Sequence, residues 1–269
     1  MLFRSGKGFI AEAVKRKAKV SERERMYIEA LDAYMKIDAK KKKERAEQFT
    51  KALDGIALKF SDDLEAKAFL ALQLYDNRRA GATSLSYLAV DSLMQQIFKV
   101  EPMAPAHHFR IHLWDYKKAE KALTSAAVCG QASPSVAHMW HMPGHIYSKL
   151  KRYEDACWQQ EASARVDHAH MMRDRVMPDR IHNFAHNHEW LIRNLNHVGR
   201  VREAVDLAKN MIELPRHPRY NTLAKNGSTR YGRQRLFETL ARYELWAEMI
   251  QLCQTPYLEP TNEFKRQIK

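Results

Sequence analysis

Cysteine, glycine and proline are all scarce in this chain of 269 residues. It contains three cysteines, nine glycines and nine prolines, and no two cysteines form a CxxC pair. An odd number of isolated cysteines argues against a disulfide framework and is typical of proteins in reducing compartments. We therefore expect a cytoplasmic protein. The few glycines and prolines fall at joints rather than in runs, which favours long helices with short connections.

Long apolar runs and several catalytic motifs are also missing. No stretch approaches the roughly 18 apolar residues that a membrane span needs, so no span is predicted. The sequence contains no HExxH, no GxSxG, no Walker phosphate loop and no glycine-rich dinucleotide fingerprint. The enzyme classes built on those motifs therefore have no support.

Acidic residues are outnumbered by basic ones, 32 to 45, which gives a formal net charge of +13. Much of the excess lies in the N-terminal third, including the run Lys40 to Lys43, and in residues 216–235. Runs of like charge are more often solvated helix faces than binding sites. No RNP-type aromatic motif or zinc-finger spacing accompanies them. Nucleic-acid binding is therefore a minor alternative, and it would require Lys40 to Lys43.

Apolar residues recur with helical periodicity along almost the whole chain, and no segment alternates as a strand would. The pattern predicts an all-α fold with thirteen helices. Ser61 and Asp62 are expected to cap the fourth helix, and Gly130 to Pro134 to end the seventh. The helices are predicted near residues 8–18, 22–36, 40–59, 62–78, 84–98, 104–113, 116–128, 134–150, 152–168, 179–197, 200–213, 230–242 and 245–254.

The helices occur in pairs, and the second helix of each pair begins with similar residues. A basic or aromatic cluster precedes an alanine at Ala119, Ala156, Ala204 and Ala247, which follow one another at steps of 37, 48 and 43 residues. Helix-turn-helix repeats of about 34 residues are the tetratricopeptide pattern. The small residue lets the second helix pack closely on the first. The longer steps indicate longer helices or insertions.

Two kinds of segment carry a family resemblance. KRYEDACWQQEASARVD and GRVREAVDLAKNMIELP resemble second helices of tetratricopeptide repeats, and FSDDLEAKAFLALQLY resembles a first helix. More narrowly, HHFRIH, HMPGHIYSKLKRY and HNFAHNHEWL resemble a bacterial subgroup of that family, which carries such histidine motifs on successive repeats. The resemblance implies protein or peptide binding on a concave surface. It implies no settled biochemical activity.

The resemblance covers about residues 22–254 and implies a right-handed α-solenoid. On this interpretation residues 1–60 form an N-terminal helical or capping region. Residues 61–255 form the repeats with a histidine-rich groove, and residues 256–269 form a C-terminal tail. The oligomeric state is open.

Twelve of the thirteen histidines lie between His107 and His197, and they recur at helical spacing. Residues three or four apart share one face of a helix, so each histidine-bearing stretch presents a stripe of imidazoles. The stripes fall on three successive first helices, which line the concave face of a tetratricopeptide solenoid. We therefore expect them to converge in one groove. The candidate ligands are His108, His112, His141, His145, His182 and His186.

A cluster of imidazoles predicts a transition metal. Nitrogen ligands favour zinc, copper, iron or nickel over magnesium or calcium. Three histidines with an open position would be a catalytic type of site, whereas four closed ligands would be structural. Bound histidines need acceptors for their other ring nitrogen. Asp115, Asp167, Asp179 and Glu189 are candidates, and Pro143 predicts a bend in the helix that carries His141 and His145.

Two further segments allow more than one interpretation. The stretch from Arg165 to Arg180 is either a solvated helix end held by Arg–Asp pairs, which we favour slightly, or a loop that supplies His168 or His170 to the groove. Most of the five tryptophans are expected in the core between repeats. Trp140 and Trp190 lie beside the histidine stripes and are candidates to line the groove.

Two functional hypotheses follow. The first is a helical protein whose histidine-lined groove binds a transition metal as a catalytic or a structural site, with no catalytic residue assigned. The second is a metal-free scaffold whose groove binds a protein or an extended peptide, using Arg, His, Asn and Trp side chains. The positive net charge favours the second hypothesis and does not bear on the first.

Overall fold

The structure, a computed structural model, describes residues 2–83, 85–215, 217, 219, 221–223 and 225–260. Those residues form helices joined by turns and short loops, and they contain no strand. Each of the thirteen predicted helices has a counterpart among them, so the predicted fold class is confirmed as all-α. The helices are α1 (Leu2–Arg16), α2 (Glu22–Lys36), α3 (Lys42–Lys59), α4 (Leu64–Ala80), α5 (Tyr87–Val100), α6 (His107–Trp114), α7 (Leu123–Ala132), α8 (Ala137–Lys149), α9 (Tyr153–Asp174), α10 (His182–His197), α11 (Val201–Glu213), α12 (Ser228–Arg242) and α13 (Trp246–Leu252).

None of these helices is both long enough and apolar enough to cross a bilayer. The chain forms two compact units, Met1–Leu113 and Trp114–Lys269. The predicted division at residues 60 and 255 is based on the sequence repeats rather than on contacts, and it stays a prediction. Its C-terminal tail lies outside the described residues from position 261 onward.

In the first unit, each of the helices α1 to α4 packs against the next helix in the chain. Local capping starts several of these helices. Ser21 and Glu24 form a reciprocal capping box at the start of α2, and Ser86 caps α5. The cap of α4 is Asp63, whose carboxylate accepts hydrogen bonds from the backbone N–H groups of Glu65 and Ala66. The predicted cap at Ser61 or Asp62 is therefore wrong by one or two positions.

In the second unit, each helix from α7 to α12 also packs against the next helix in the chain, and some alternate helices are in contact as well. Helix α8 contacts α10, and α10 contacts α12, in addition to the contacts between neighbours in the chain. The apolar core of this part is centred on Ile192, Leu236 and Leu240, all fully buried. The first helices of successive pairs therefore lie side by side, which places the histidine-bearing faces of α8 and α10 next to each other.

The three helix pairs of this unit are joined by the same turn. Lys151, Gly199 and Glu244 each follow a first helix with left-handed φ angles of 59°, 79° and 53°. In each turn the next backbone N–H bonds the carbonyl five positions earlier, as in Arg152 to Tyr147, Arg200 to Leu195 and Leu245 to Leu240. This closure is the Schellman C-terminal motif. Equivalent turns therefore recur at steps of 48 and 45 residues.

The turns also fix which residues of the pairs are equivalent. Ala156 and Ala204 each lie five positions after the left-handed residue, and both are fully buried. The corresponding residue of the third pair is Met249, whereas Ala247 is exposed. The predicted equivalence of Ala247 is therefore wrong by two positions. The expected close packing through a small residue holds for the first two pairs.

Helices α1, α7 and α9 each differ from one predicted bound by six or seven residues, and α1 begins at Leu2 rather than near residue 8. Helix α7 begins at Leu123 rather than near 116, because residues 115–118 form a turn on the Trp114 carbonyl. It ends at Ala132, inside the predicted breaker from Gly130 to Pro134, and Gly130 itself is still helical. A β-carbon at Gly130 would lie 2.3 Å from the Trp140 ring, so this glycine serves a close contact instead of a break. Helix α9 runs to Asp174, six residues beyond its predicted end.

Candidate metal centre

Three histidines from two adjacent helices meet in the second unit. His141 and His145 lie one turn apart on α8, and His186 lies on α10. One potential ligand atom from each ring lies within 4.8 Å of the other two. His141 is completely buried and His145 nearly so, while the His186 side chain is 29% exposed. We call these three residues the histidine triad. They form a group that can hold a metal ion.

The orientation of His141 is fixed by two amides. Its Nδ1 lies 2.8 Å from Gln160 Oε1 and 3.0 Å from Asn187 Oδ1. Both partners are oxygens that only accept, so Nδ1 carries the proton and donates. The other ring nitrogen, Nε2, is then an unprotonated lone pair. It lies 2.8 Å from Nε2 of His145. The buried amides therefore present His141 in the tautomer that a metal ligand requires.

His145 is oriented by a carboxylate and by a tryptophan. Its Nδ1 lies 3.6 Å from Asp115 Oδ2, slightly beyond hydrogen-bond distance, and finds no hydrogen-bond partner among the described residues. Its ring stacks on Trp190 at 4.1 Å between centroids. Lys149 Nζ holds the other oxygen of Asp115 at 2.6 Å. A small movement would close a histidine–carboxylate pair on the side of His145 away from His141.

Asp115 is kept ionised in spite of its burial. Burial alone raises the pKa of this carboxyl group. His145 and Lys149 lower the pKa by more than burial raises it, so the net pKa lies below the ordinary value. Asp115 follows α6 and lies in the turn after Trp114. A buried negative charge therefore stands beside the ring nitrogen of His145 that does not face His141.

His186 has a similar carboxylate neighbour. Its Nδ1 lies 3.5 Å from Glu189 Oε1, one turn along α10. Glu189 is held in turn by Arg235 of α12, through Nε at 2.9 Å and Nη2 at 2.5 Å. Burial raises the pKa of Glu189, and contacts with His186 and Arg235 more than offset this effect. The ring centroids of His186 and His141 are 4.8 Å apart.

The electrostatics of His141 favour a neutral ring. Burial, followed by the nearby His145, lowers its pKa to about 3. At neutral pH its Nε2 lone pair is therefore available without the loss of a proton. Metal ligands must be deprotonated, so a ring held neutral by its surroundings suits coordination.

The Pro143–Gly144 pair inside α8 has a packing role. The helix continues through both residues, and both are buried. A β-carbon at Gly144 would lie 2.2 Å from the Gln160 amide nitrogen. Glycine at this position therefore lets Gln160 reach His141. Pro143 leaves one carbonyl of the preceding turn without its helical donor. The predicted bend stays a prediction.

The other three predicted ligands are not part of the triad. His108 and His112 belong to the first unit, with their Nε2 atoms 3.0 Å apart. Their membership in the same site as the triad stays a prediction. His182 is exposed and stacks on His186 at 5.8 Å between centroids, outside the triad.

His138 belongs to the α8 stripe but was not among the predicted ligands. Its ring stacks on His141 at 5.7 Å, and its Nδ1 lies 3.2 Å from Asn183 Oδ1. The Asn183 amide donates to Asp167 at 2.7 Å. Asp167, one of the four predicted acceptors, thus acts through an amide on His138 rather than on a triad residue.

Two of the four predicted acceptors, Asp115 and Glu189, lie beside triad histidines. Asp179 is in a short 3-10 helix, Pro178–Arg180, which comes directly before α10. The stretch after Arg165 is the helix end that we favoured, in which His170 Nδ1 lies 2.5 Å from Asp174. Sequence reasoning missed Gln160, for which no motif signals a contact with His141.

The tryptophans divide between core and surface. Trp114 is buried, whereas Trp158 and Trp246 are each 52% exposed, contrary to the expectation for the core. Trp190 lies against His145, as expected for a residue beside the stripe. Trp140 instead packs over Gly130 and against Trp158.

No protein-family model and no curated protein matched this sequence. The resemblance to tetratricopeptide proteins therefore stays a prediction that depends on the quoted motifs. The geometry of the triad is the basis for any assignment of function.

Proposed function

We propose that the histidine triad binds one transition-metal ion. The observation that carries this proposal is the convergence of three ring nitrogens within 4.8 Å of one another. The outward-facing nitrogens support it, since each faces an acceptor: two amides at His141, Asp115 at His145 and Glu189 at His186. Metal-bound histidines are commonly held by such outer partners, which fix the ring and its tautomer.

The donor set limits the identity of the metal. Three neutral imidazoles favour zinc, copper, iron or nickel over magnesium or calcium. Around a tetrahedral zinc ion with bonds of about 2.0–2.1 Å, ligand nitrogens are about 3.3 Å apart. His141 and His145 have their Nε2 atoms at 2.8 Å, so they would separate by about half an ångström on binding. Such a shift is within the reach of side-chain adjustment.

Three protein ligands leave a coordination position for water or another molecule, as in catalytic zinc sites. The side of the triad toward His186 is the accessible one, because the other two rings are buried. Trp190 and Tyr231 border His186 there, with ring centroids 6.4 Å and 6.5 Å away. When bound, the metal would supply Lewis-acid or redox chemistry at this opening. The chain's own residues hold the ligands and restrict the approach.

We also propose that the second unit is built of tetratricopeptide-like repeats and that the wider chain is a right-handed solenoid of the bacterial subgroup. Three observations support the repeats: the identical turns at Lys151, Gly199 and Glu244, the buried Ala156 and Ala204, and the contacts between alternate helices. The triad then lies on the first helices of two successive repeats.

The test is elemental analysis of the purified full chain by mass spectrometry, with and without reconstitution by each of the four ions. We expect about one equivalent of one metal per chain, and its loss in His186→Ala. His186 is half-buried, so this variant avoids the folding risk of replacing the fully buried His141. His182→Ala is the matched control, because it removes the neighbouring imidazole outside the triad and should keep the metal.

Two results would contradict the proposal: no metal after reconstitution with every ion, or full retention in His186→Ala and in a His141/His145 double variant. The triad would then be a metal-free polar network in which the Nε2–H of His145 donates to Nε2 of His141. Pull-down experiments for a protein or peptide partner would be the next step, as the scaffold hypothesis requires.

A further inference from the structure

The second unit contains a cleft of about 830 Å³ between the start of α8 and one face of α9. This volume suits a small organic molecule, since ligand pockets range from about 300 to 1,000 Å³. None of the triad histidines lines the cleft. It is therefore a separate candidate site.

Helix α9 lines the cleft with residues whose polarity changes along the helix. Trp158 lies toward the N-terminal end, and the small apolar residues Ala162, Val166 and Ala169 follow. Arg165 is two turns beyond Trp158. With a rise of 1.5 Å per residue, the distance between them along the helix is about 10 Å. One helix face thus joins an aromatic end to a cationic end through a stretch with little side-chain bulk.

The aromatic end is rigid and exposed. Trp140 packs edge-to-face on Trp158, with ring centroids 5.7 Å apart. Its indole N–H donates to the Pro134 carbonyl at 3.0 Å, and its ring fills the space left by the missing side chain of Gly130. Trp158 remains 52% exposed and the adjoining Val136 50% exposed. This preformed apolar wall can take an aromatic or aliphatic group with little loss of entropy.

The cationic end has one uncompensated charge. Arg173 also lines the cleft, but Asp174 neutralises it at 2.7 Å. Arg165 is exposed and forms no ion pair or side-chain hydrogen bond with any residue in the part of the chain that the structure describes. A guanidinium in this setting matches a carboxylate in charge and in shape.

The one acidic residue that lines the cleft does not neutralise Arg165. Asp167 follows Arg165 by two positions, which places the two side chains about 200° apart around α9. Its side chain is buried and accepts from the Asn183 amide at 2.7 Å. Burial raises the pKa of this carboxyl group, so its charge is also disfavoured. Asp167 therefore forms a polar floor with Asn183 and leaves the guanidinium available.

We propose that this cleft binds an amphiphilic organic carboxylate. Its apolar or aromatic body, about 10 Å long, lies on Trp140 and Trp158, and its carboxylate pairs with Arg165. The site is distinct from the triad, so binding does not depend on the metal.

The probe for this proposal is 4-phenylbutanoate, in which three methylene groups join a phenyl ring to a carboxylate. Calorimetric titration and quenching of tryptophan fluorescence on the full chain should show saturable binding to one site. The matched neutral analogue, 4-phenylbutanamide, should bind at least about tenfold more weakly, because it cannot form the charged pair with Arg165. The cationic analogue, 4-phenylbutylammonium, should bind more weakly still.

Two variants and two controls locate the site. Arg165→Ala and Trp158→Ala should each weaken binding of 4-phenylbutanoate by about fivefold or more. Arg202→Ala and Trp246→Ala should leave it unchanged, since Arg202 pairs with Glu248 and Trp246 has the same 52% exposure outside the cleft. Circular dichroism checks that all four variants fold.

The proposal is overturned by any of three results: no saturable binding of 4-phenylbutanoate, equal affinity for the amide, or unchanged affinity in Arg165→Ala. Titration of His186→Ala separates this proposal from the metal site. Retained affinity for the carboxylate in that variant supports a separate site, and its loss contradicts the separation.

Discussion

Gly144 of α8 faces Gln160 of α9 so closely that a β-carbon at position 144 would lie 2.2 Å from the Gln160 amide nitrogen. The same Gln160 side chain accepts a hydrogen bond from Nδ1 of His141 at 2.8 Å. The absence of a side chain at one residue is thus what lets its neighbour fix the tautomer of a buried histidine. Helix packing and the chemistry of the triad are connected at this contact.

Gly144→Ala should therefore disturb both stability and metal binding. The new methyl group must displace Gln160, which costs about 1–3 kcal/mol of overpacking and removes one of the two acceptors of His141. We expect a lower urea midpoint together with weaker metal binding in competition with a chelator.

Gly55→Ala is the matched control for that variant. Gly55 lies inside α3, and no atom lies within 4 Å of a β-carbon placed there. Alanine should stabilise the protein by about 0.5–1 kcal/mol, because glycine is unfavourable inside a helix. Unchanged stability and unchanged metal affinity in Gly144→Ala would show that the Gln160 side chain can move away from a methyl group at position 144 at no cost.

Asp115→Asn should weaken metal binding with little change of shape. The carboxylate stands 3.6 Å from His145 Nδ1, and an amide at this position loses the negative charge that favours a bound cation. Loss of such outer partners typically lowers metal affinity by about 10–100-fold. The measurement is chelator competition with zinc, followed across a range of chelator concentrations.

Asp155→Asn is the control for that measurement, since Asp155 pairs with Arg152 at the surface, away from the triad. Its metal affinity should equal that of the unmodified chain. Equal affinity in Asp115→Asn as well would mean that Asp115 serves only the ion pair with Lys149.

The sequence predicted the helices well because their periodicity is local, but it could not predict contacts between helices. The i,i+4 spacing correctly put His141 and His145 on one face, and the pairing of helices put His186 beside them. The contribution of Gln160 depends on the packing of α9 on α8, which no local pattern encodes. His182 has the same spacing to His186 as His141 has to His145, yet it lies at the exposed end of α10. Spacing alone cannot separate these two cases.

The sequence also could not fully predict which residues of the three helix pairs are equivalent. The alanine after a basic and aromatic cluster located Ala156 and Ala204 correctly, because those clusters begin at the turn. It placed Ala247 two positions away from the true equivalent, since the third turn is set by the left-handed residue Glu244 rather than by the composition around it. Glutamate gives no signal for a left-handed turn, whereas Gly199 does.

Lys151→Gly and Glu244→Gly should stabilise the protein, because both residues adopt a positive φ that glycine adopts without strain. The left-handed conformation costs a non-glycine residue about 1 kcal/mol or more, which the greater entropy of an unfolded glycine partly offsets. We expect a net gain of about 0.5 kcal/mol at each position. Urea denaturation of the two variants and of their combination measures it.

Gly199→Ala tests the second of the three turns in the opposite direction. It introduces a β-carbon at φ of 79° and should destabilise the protein by about 1–2 kcal/mol. No atom lies within 4 Å of that β-carbon, so the loss would come from backbone strain alone. Effects of the same sign at all three positions would contradict the equivalence of the turns.

The stability of the metal-free protein should decrease in mild acid because of His141. Its pKa is about 3 in the folded chain, owing to burial and then to His145, against an ordinary value of 6.5. Below pH 6.5 the unfolded chain therefore binds a proton that the folded chain does not. The contribution is complete above pH 6.5 and declines by about 1.4 kcal/mol per pH unit as the pH falls toward the folded pKa. Urea unfolding of chelator-treated protein at pH 7, 6 and 5 measures the decline.

His141→Gln keeps a hydrogen-bonding side chain but removes the titrating group, so its stability should depend less steeply on pH. Since all other ionisable groups are shared, the difference in slope reports His141, and identical slopes would show that folding does not lower the pKa of this ring.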